Sequence, residues 1–531
     1  MANNNVNFIL HAHMPFVRHP EYKRFLEEDW LFESINETYL PLLRMLKNLK
    51  KKNINFKLSI CFSPTLISML VDPTLQQRYV DYLELHKKLG LKEVVRCSKE
   101  QPECLEMAKT YLNLIETNFK DYESLYKRNI LTGFKELRDF GYLELLASAA
   151  TNAFLPSYSE YPVAINAQVE VGIQTFILEF GCRPDGFWLP ELGYYPGVEK
   201  ILEKHNITYF PASSQSVLFS EDRCDTGVYK PVRCKNGVTL FPRDFQMTNL
   251  VWSEEGYPAE KDYREFYRDI GYDLDLSYIR PFIHEPEVRV FTGFKYWAIT
   301  GPGNEKEYYK PEIAKKLARQ HAKNYLFNIG AKGRQVRPNL GENDPMFTLC
   351  FDAELFGHWW YEGLDWLEQF IVSSTEELSP VTLTTPVDFL KERNTYQTIR
   401  PALSSWSSGG FAQIWIDGSN NWVYRHTHKT VERMVELSNR YKYQDSLKKR
   451  FLNQAAREVL LSMAGDWPYL LFNKANEEFA KNQLIGHIAN FNVVYTNMCK
   501  NAVNTEWLVK AEFRDKIFPR IDYNIFNYTD F

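Results

Sequence analysis

The chain has 531 residues, with 63 Lys+Arg against 67 Asp+Glu and a formal net charge of −4. This near balance, without a long basic run, argues against nucleic acid or an anionic membrane as a partner, and no segment approaches the roughly 18 apolar residues of a membrane-spanning helix. Length allows more than one domain, and an aromatic content of 15%, including 12 Trp and 32 Tyr, favours a polysaccharide over a small ionic substrate, although many of these rings must fill a core.

The opening MANNNVNFILHAHMPF lacks the basic region and apolar stretch of a secretion signal. Cys61, Cys97, Cys104, Cys182, Cys224, Cys234, Cys350 and Cys499 are dispersed, without CxxC or clustered Cys/His spacing, and no disulfide is expected between Cys224 and Cys234. A soluble cytoplasmic protein with reduced thiols is expected.

The first strand is read at Val6–Leu10, leading into His11-Ala12-His13-Met14-Pro15, which places both histidines on one face of an extended segment. Residues 28–50 carry Trp30, Leu31, Ile35, Tyr39, Leu42, Leu43, Leu46 and Leu49 at helical spacing, and Phe56–Phe62 is a second strand ended by Ser63-Pro64. Strand, helix, strand is the unit of a parallel sheet or barrel, with the histidines on its rim. Residues 75–140 read as a charged, amphipathic helical insertion. Further strands are expected at Leu143–Leu146, at Ile207–Phe210 ended by Pro211, at Val238–Phe241 and at Phe347–Phe351, with helices again from about residue 425. There is no internal repeat.

Two acids stand out by their surroundings. Glu191 lies in GFWLPELGYYPG, residues 186–197, where Gly193 to Gly197 is expected to turn the chain, and Asp352 lies in TLCFDAELFGHWWYEG, residues 348–363. In each, a short apolar run ends at an acid followed by turning or aromatic residues, as on the C-terminal rim of a barrel. Retaining cleavage of a glycosidic bond needs one carboxylate to attack the anomeric carbon and a second carboxyl, about 5–5.5 Å away, to protonate the leaving oxygen. An apolar surround keeps one carboxyl protonated near neutrality, and Trp and Tyr faces pack on sugar rings.

Other readings remain open. A binding protein without turnover would display the same aromatics, but it has no need for two acids at strand ends. A metal-dependent deacetylase or hydrolase would use His11, His13 and an acid, although no third ligand is apparent.

HAHMPF at 11–16, WLPELGYYPG at 188–197 and FDAELFGHWWYEG at 351–363 resemble, in order and spacing, the signature segments of glycoside hydrolase family 57. GVYKPV at 227–232, the segment 241–274, LSSWSSGG at 403–410 and DWPYLL at 466–471 extend the likeness over nearly the whole chain, nearest to the 1,4-α-glucan branching enzymes and the related intracellular amylases. The resemblance implies an α/β fold: an incomplete (β/α)7 barrel with a helical insertion and a C-terminal helical domain closing the cleft. The corresponding units are residues 1–400, with the insertion at about 75–140, and residues 401–531.

By position, the resemblance makes Glu191 the nucleophile and Asp352 the general acid/base. It also assigns His11, His13, Arg268, Gly293, Trp406, Trp415 and Asp466 to glucan binding, Trp415 as an aromatic wall, with no metal and no cofactor. The residues themselves leave plainer roles open: a surface charge network for Arg268, a turn for Gly293, core filling for Trp415 and a helix terminus for Asp466. Three positions depart from the branching-enzyme pattern: Asn152 replaces a histidine, the 218–228 loop has no tyrosine, and Ala475 replaces a glutamine. The implied activity is transfer of an α-1,4-glucan segment to a 6-hydroxyl, with hydrolysis of α-1,4 bonds as the alternative.

Overall fold

The computed structural model describes residues 4–284, 288–301, 305–341, 344–392 and 395–527. Among the described residues the strands are β1 Asn4–Ala12, β2 Leu58–Phe62, β3 Leu143–Ser148, β4 Phe187–Trp188, β5 Tyr209–Ala212, β6 Val232–Arg233, β7 Thr239–Pro242, β8 Met346–Asp352 and β9 Val381–Leu383. β1 is central, with Leu10 beside Ile60 of β2 on one edge and Phe351 of β8 on the other, both parallel. β3 and β4 continue the parallel order beyond β2. β5 pairs parallel with β7, and β6 lies antiparallel to β7.

Two single parallel bridges, Gly186 to Tyr209 and Arg243 to Thr348, join these sheets. The chain therefore curls through β1, β2, β3, β4, β5, β7 and β8 and returns to β1, with β9 added beside the start of β1. The α/β, incomplete (β/α)7 barrel is thus present, its joints at β4–β5 and β7–β8 resting on single bridges.

One side chain from each of these strands fills the interior: Ile9, Cys61, Leu146, Trp188, Tyr209, Phe241 and Cys350 belong to one buried cluster. Their neighbours Phe8, Leu10, Ile60 and Phe351 face outward into the larger core shared with the helices. That two-sided burial explains the nearly unbroken apolar run of β1 and β2.

Ser63 caps the helix Pro64–Leu70, accepting from Leu66 N at 3.4 Å, and Asp72 caps Pro73–Glu100 through Thr74 N and Leu75 N at 3.0 and 3.1 Å. With Leu105–Lys120 and Leu131–Asp139, this helix forms the helical insertion. The helix expected at 28–50 forms, but with a π-helical turn at Ile35–Tyr39 between Glu28–Ser34 and Leu40–Lys51. The C-terminal part packs the helices Trp422–Arg440, Ser446–Ser462, Asp466–Asn473, Glu477–Cys499 and Thr505–Arg514.

Strand ends shift by up to two residues from expectation, as in β1, which runs from Asn4 to Ala12, and Pro211 does not end β5, which runs to Ala212. β5 meets β4 through a single bridge and is locally an edge, where a residue without an N–H is tolerated. The cysteines described are all free, and no described helix is long and apolar enough to cross a membrane.

Candidate active site

The chemistry-bearing side chains collect at the C-terminal ends of the parallel strands. Asp352 is the last residue of β8 and lies in register with His11 of β1. Glu191 follows β4 by two residues in a short 3-10 turn. The bend begins ahead of the turn expected at Gly193 to Gly197, with Glu191 and Leu192 at φ 59° and 49°, and Gly197 at φ 116° completes it. Gly193 is required for space instead, because a Cβ there would meet Phe154 Cε2 at 2.7 Å. A left-handed non-glycine pair is strain held in place by its surroundings.

Those surroundings are specific. Trp406 donates its indole N–H to Glu191 Oε2 at 2.6 Å and its backbone N–H to Glu191 O at 2.9 Å. The Asn152 amide donates to Glu191 Oε1 at 3.3 Å. Burial and the nearby Asp352 charge push the Glu191 carboxyl up to about 7, with Trp406, His13 and Asn152 holding it down. Burial likewise pushes Asp352 up to about 7, partly offset by the positive charge of His13 and Arg243. Asp352 receives less direct support: His11 Nδ1 stands 3.6 Å from its Oδ1, beyond hydrogen-bond length.

The two histidines do share a face. Their rings lie 5.6 Å apart and nearly parallel, and His11 stacks on Trp188 at 4.7 Å. Burial lowers the His11 imidazole, and its Nε2 has no protein partner. Both nitrogens of His13 are engaged, by Ser63 Oγ at 2.9 Å and by Asp466 Oδ1 at 2.8 Å, which leaves neither free for a metal. Burial opposes a charge on His13, but Asp466 outweighs it and raises the imidazole. Asp466, the first residue of its helix, therefore does more than end one: it joins the C-terminal part to the barrel rim.

Three further residues do not reach the two acids directly. Arg268 pairs with Asp273 at 2.9 Å and lies over Trp297, and Gly293, at φ 78°, donates to Asp269. Asp269, fully buried, thereby clamps the two together beside Glu37, which binds His358. Among the described residues, neither Arg268 nor Gly293 hydrogen-bonds to the two acids or the histidines. Trp415 is only 2% exposed, stacked against Phe154 and Tyr469, so it is core packing and not an open wall. The ring presented to solvent is that of Tyr469, 44% exposed and close enough for Glu191 and Asp352 to raise its phenol after burial.

Four site groups escaped the sequence reading. Arg243, directly after β7, is buried, lies over the Trp406 ring at 5.3 Å and has an unpartnered Nε. Glu354 accepts from the Tyr39 hydroxyl and from His13 N at 3.2 Å, and burial followed by the Asp352 charge pushes it up to about 8. Tyr39 ends the π-helical turn, a distortion frequent at functional sites. Trp252 and Trp359, 40% and 46% exposed, continue the aromatic surface from Trp406 through ring contacts of 6.2 and 6.3 Å. FPRDF at 241–245 and ELFGHWW at 354–360 lie within the segments that carry the family resemblance.

A barrel with two facing, desolvated carboxyls on its rim and tryptophans around them defines a carbohydrate-active class of protein. The model of glycosyl hydrolase family 57 matches residues 7–401, and that of the 1,4-alpha-glucan branching enzyme C-terminal region matches residues 426–526. The chain belongs to glycosyl hydrolase family 57.

It is 29% identical to a 1,4-alpha-glucan branching enzyme of Thermococcus kodakarensis over 97% of this chain and 77% of that protein. The structure of the alpha-amylase AmyC from Thermotoga maritima is 36% identical, with a TM-score of 0.93 and complete coverage of both chains. That of a branching enzyme from Pyrococcus horikoshii is 29% identical, with a TM-score of 0.88 over 99% of this chain and 97% of that one.

Proposed function

We propose that the protein acts on α-1,4-glucans by a retaining double displacement and passes the cleaved segment to a 6-hydroxyl of another glucan, making α-1,6 branches. The observation that carries the mechanism is the unequal support of two similar acids. Glu191 accepts two N–H hydrogen bonds, which favour its ionised form, whereas Asp352 faces it in a desolvated site with no comparable donor. The single proton of the pair therefore resides on Asp352.

In the first step Glu191 Oε attacks the anomeric carbon while Asp352 gives its proton to the departing glycosidic oxygen, leaving a glycosyl ester on Glu191. In the second, Asp352 takes the proton of an incoming hydroxyl, whose oxygen displaces Glu191. Trp406, Trp252 and Trp359 supply apolar faces for the sugar rings, and the His11 Nε2 is free to meet a hydroxyl. Arg268 and Gly293 belong in this reading to a layer holding the glucan further from the cleaved bond. The proposal needs neither metal nor cofactor.

Branching as the main outcome is favoured by the likeness over nearly the whole chain to proteins described as branching enzymes, C-terminal region included. A hydrolytic reading is favoured by the 218–228 loop. Leu218 and Phe219 are more than 60% exposed. The adjacent Tyr229 is built into the opposite end of the barrel, its carbonyl accepting from Met346 N at 2.9 Å. A loop that does not exclude water lets water compete for the glycosyl ester. Incubation with amylose, counting new α-1,6 linkages against new reducing ends, tests both; reducing ends without debranching-sensitive linkages would leave hydrolysis as the activity.

A further inference from the structure

A cavity of about 780 Å³ opens between the barrel and the C-terminal helices. One wall is the segment 16–27, which follows the His13 strand end; the other is the helix Glu477–Cys499 with Arg514 and Asp515. None of its lining residues belongs to the Glu191–Asp352 centre. The two walls are pinned together: Arg18 donates to the carbonyls of Phe513 and Arg514 at 2.5 and 3.0 Å, and Gln483 meets His19 Nε2 at 2.7 Å. The space is thus built into the seam.

Three features point to a ligand. His487, 5% exposed, spends Nδ1 on Glu458 at 2.8 Å, while its Nε2 finds no partner in the protein. Gly486 lies mid-helix, where glycine costs about 0.5–1 kcal/mol relative to alanine. A Cβ there would meet nothing within 4 Å, so packing does not demand the glycine, and its small size leaves the cavity mouth clear. Opposite, His19 and Phe25 stack at 3.6 Å, with Tyr22, 54% exposed, beside them at 5.3 Å.

The charges select the ligand. Glu21, Glu27, Glu477 and Glu478 line the space, while Arg18 is tied to Asp72 and Arg514 to Asp515, leaving no lining arginine to hold an anion. Glu458, His487 and Asp515 come within 4.8 Å of one another, but Arg514 at 2.6 Å from Asp515 and 3.5 Å from Glu458 occupies the electrostatic place of a cation. What fits is neutral, rich in hydroxyls able both to donate and to accept, and flat enough on one face to lie on Tyr22 and Phe25. The volume falls in the range of sites that enclose a ligand several sugar units long.

We infer that this seam cavity is a second glucan-holding site, which anchors a neutral α-glucan segment away from the bond being cleaved. The inference rests on the α-glucan reading above. It is tested with Gly486→Trp, which fills the mouth, and with Tyr22→Ser, an exposed position whose loss spares the fold, after thermal melting shows both variants intact. Each is compared with the wild type for retardation in glycogen-containing native gels and for kcat/KM on maltoheptaose and on amylose.

The expected result is glycogen affinity and amylose kcat/KM reduced about five-fold, the size of a lost ring face, with maltoheptaose kcat/KM unchanged. Wild-type retardation in both variants, or an equal loss on maltoheptaose, would overturn the inference while leaving the α-glucan reading in place. A wild-type protein that neither acts on amylose nor is retarded by glycogen would overturn both.

Discussion

Glu93 and Glu191 are both acids removed from bulk water, and the molecule treats them in opposite ways. Glu93, in the helical insertion, is fully buried and saturated: Arg96 donates to both oxygens at 2.8 Å, Tyr278 to Oε1 at 2.7 Å and Tyr296 to Oε2 at 2.9 Å. Glu191 has two N–H donors, no cation in contact, a left-handed backbone and a second acid opposite. The first arrangement joins the insertion to the segment carrying Tyr278 and Tyr296. The second leaves the carboxyl on two neutral donors in a desolvated place. Partner saturation, more than burial, separates Glu93 from Glu191.

The largest expected effect is at Glu191. Glu191→Gln removes the attacking oxygen and is expected to lower kcat on amylose by about 10⁴-fold. It should also stabilise the protein at pH 8. Because the folded Glu191 carboxyl is raised to about 7, its contribution to stability is present below the unfolded carboxylate range and lost as pH rises through 7. The neutral amide escapes that loss, worth about 1–2 kcal/mol after allowing for partial exposure. Retained activity would remove Glu191 as the nucleophile; a lower melting temperature at pH 8 would contradict the raised Glu191 carboxyl.

Glu93→Gln is the converse. It leaves Arg96 buried with a weakened partner and is expected to cost about 3–5 kcal/mol in denaturant unfolding, with kcat of the folded fraction unchanged. A kcat loss larger than the loss of folded protein would place Glu93 in the catalytic machinery and dissolve the contrast.

How much of this contrast the sequence carried depends on the range of the contact. Both candidate acids were legible, because strand, acid and turn are neighbours in the chain. The seven strands of the ring were largely legible for the same reason, two-residue β4 only as the short apolar run before Glu191. β6 and β9 were missed, β9 lying between Pro380 and Pro386. The partners were not: Trp406 reaches Glu191 across 215 residues and Asp466 reaches His13 across 453. Residue type alone could nominate them but could not say what they touch. Arg243 went unread since its role arises where β7 meets β8 through one bridge. Trp415 was overread because an aromatic in a motif looks the same whether its faces are open or covered.

Trp406→Phe tests the support of Glu191 directly. The ring stays and the N–H donor goes, so kcat/KM is expected to fall about 10–100-fold. Since the lost hydrogen bond holds the Glu191 carboxyl down, its removal raises that group further. Glu191 must be ionised to attack, so the acidic limb of the kcat/KM profile should move to higher pH. An unshifted limb would mean that Trp406 serves only as a sugar platform.

The smallest expected effect concerns what reaches the glycosyl ester. Phe219, 63% exposed at the start of the tyrosine-free loop, packs at 6.0 Å against Phe411, and the Phe411 carbonyl in turn accepts from Ser407 Oγ beside Trp406. The loop is pinned on its far side by Arg400, which binds Asp222 at 3.0 Å and Glu221 at 2.5 Å, so its position is defined. A hydroxyl at Phe219 would order acceptor or water near the loop that holds Glu191 without altering either acid. Phe219→Tyr is therefore expected to raise the ratio of new α-1,6 linkages to new reducing ends about two- to five-fold, a change of under ~1 kcal/mol in relative barrier, with total glucan turnover held within about two-fold. If the ratio stays fixed while Arg400→Ala, which frees the loop, also leaves it fixed, the choice between water and a sugar hydroxyl is made by the rim residues themselves, and the loop does not govern it.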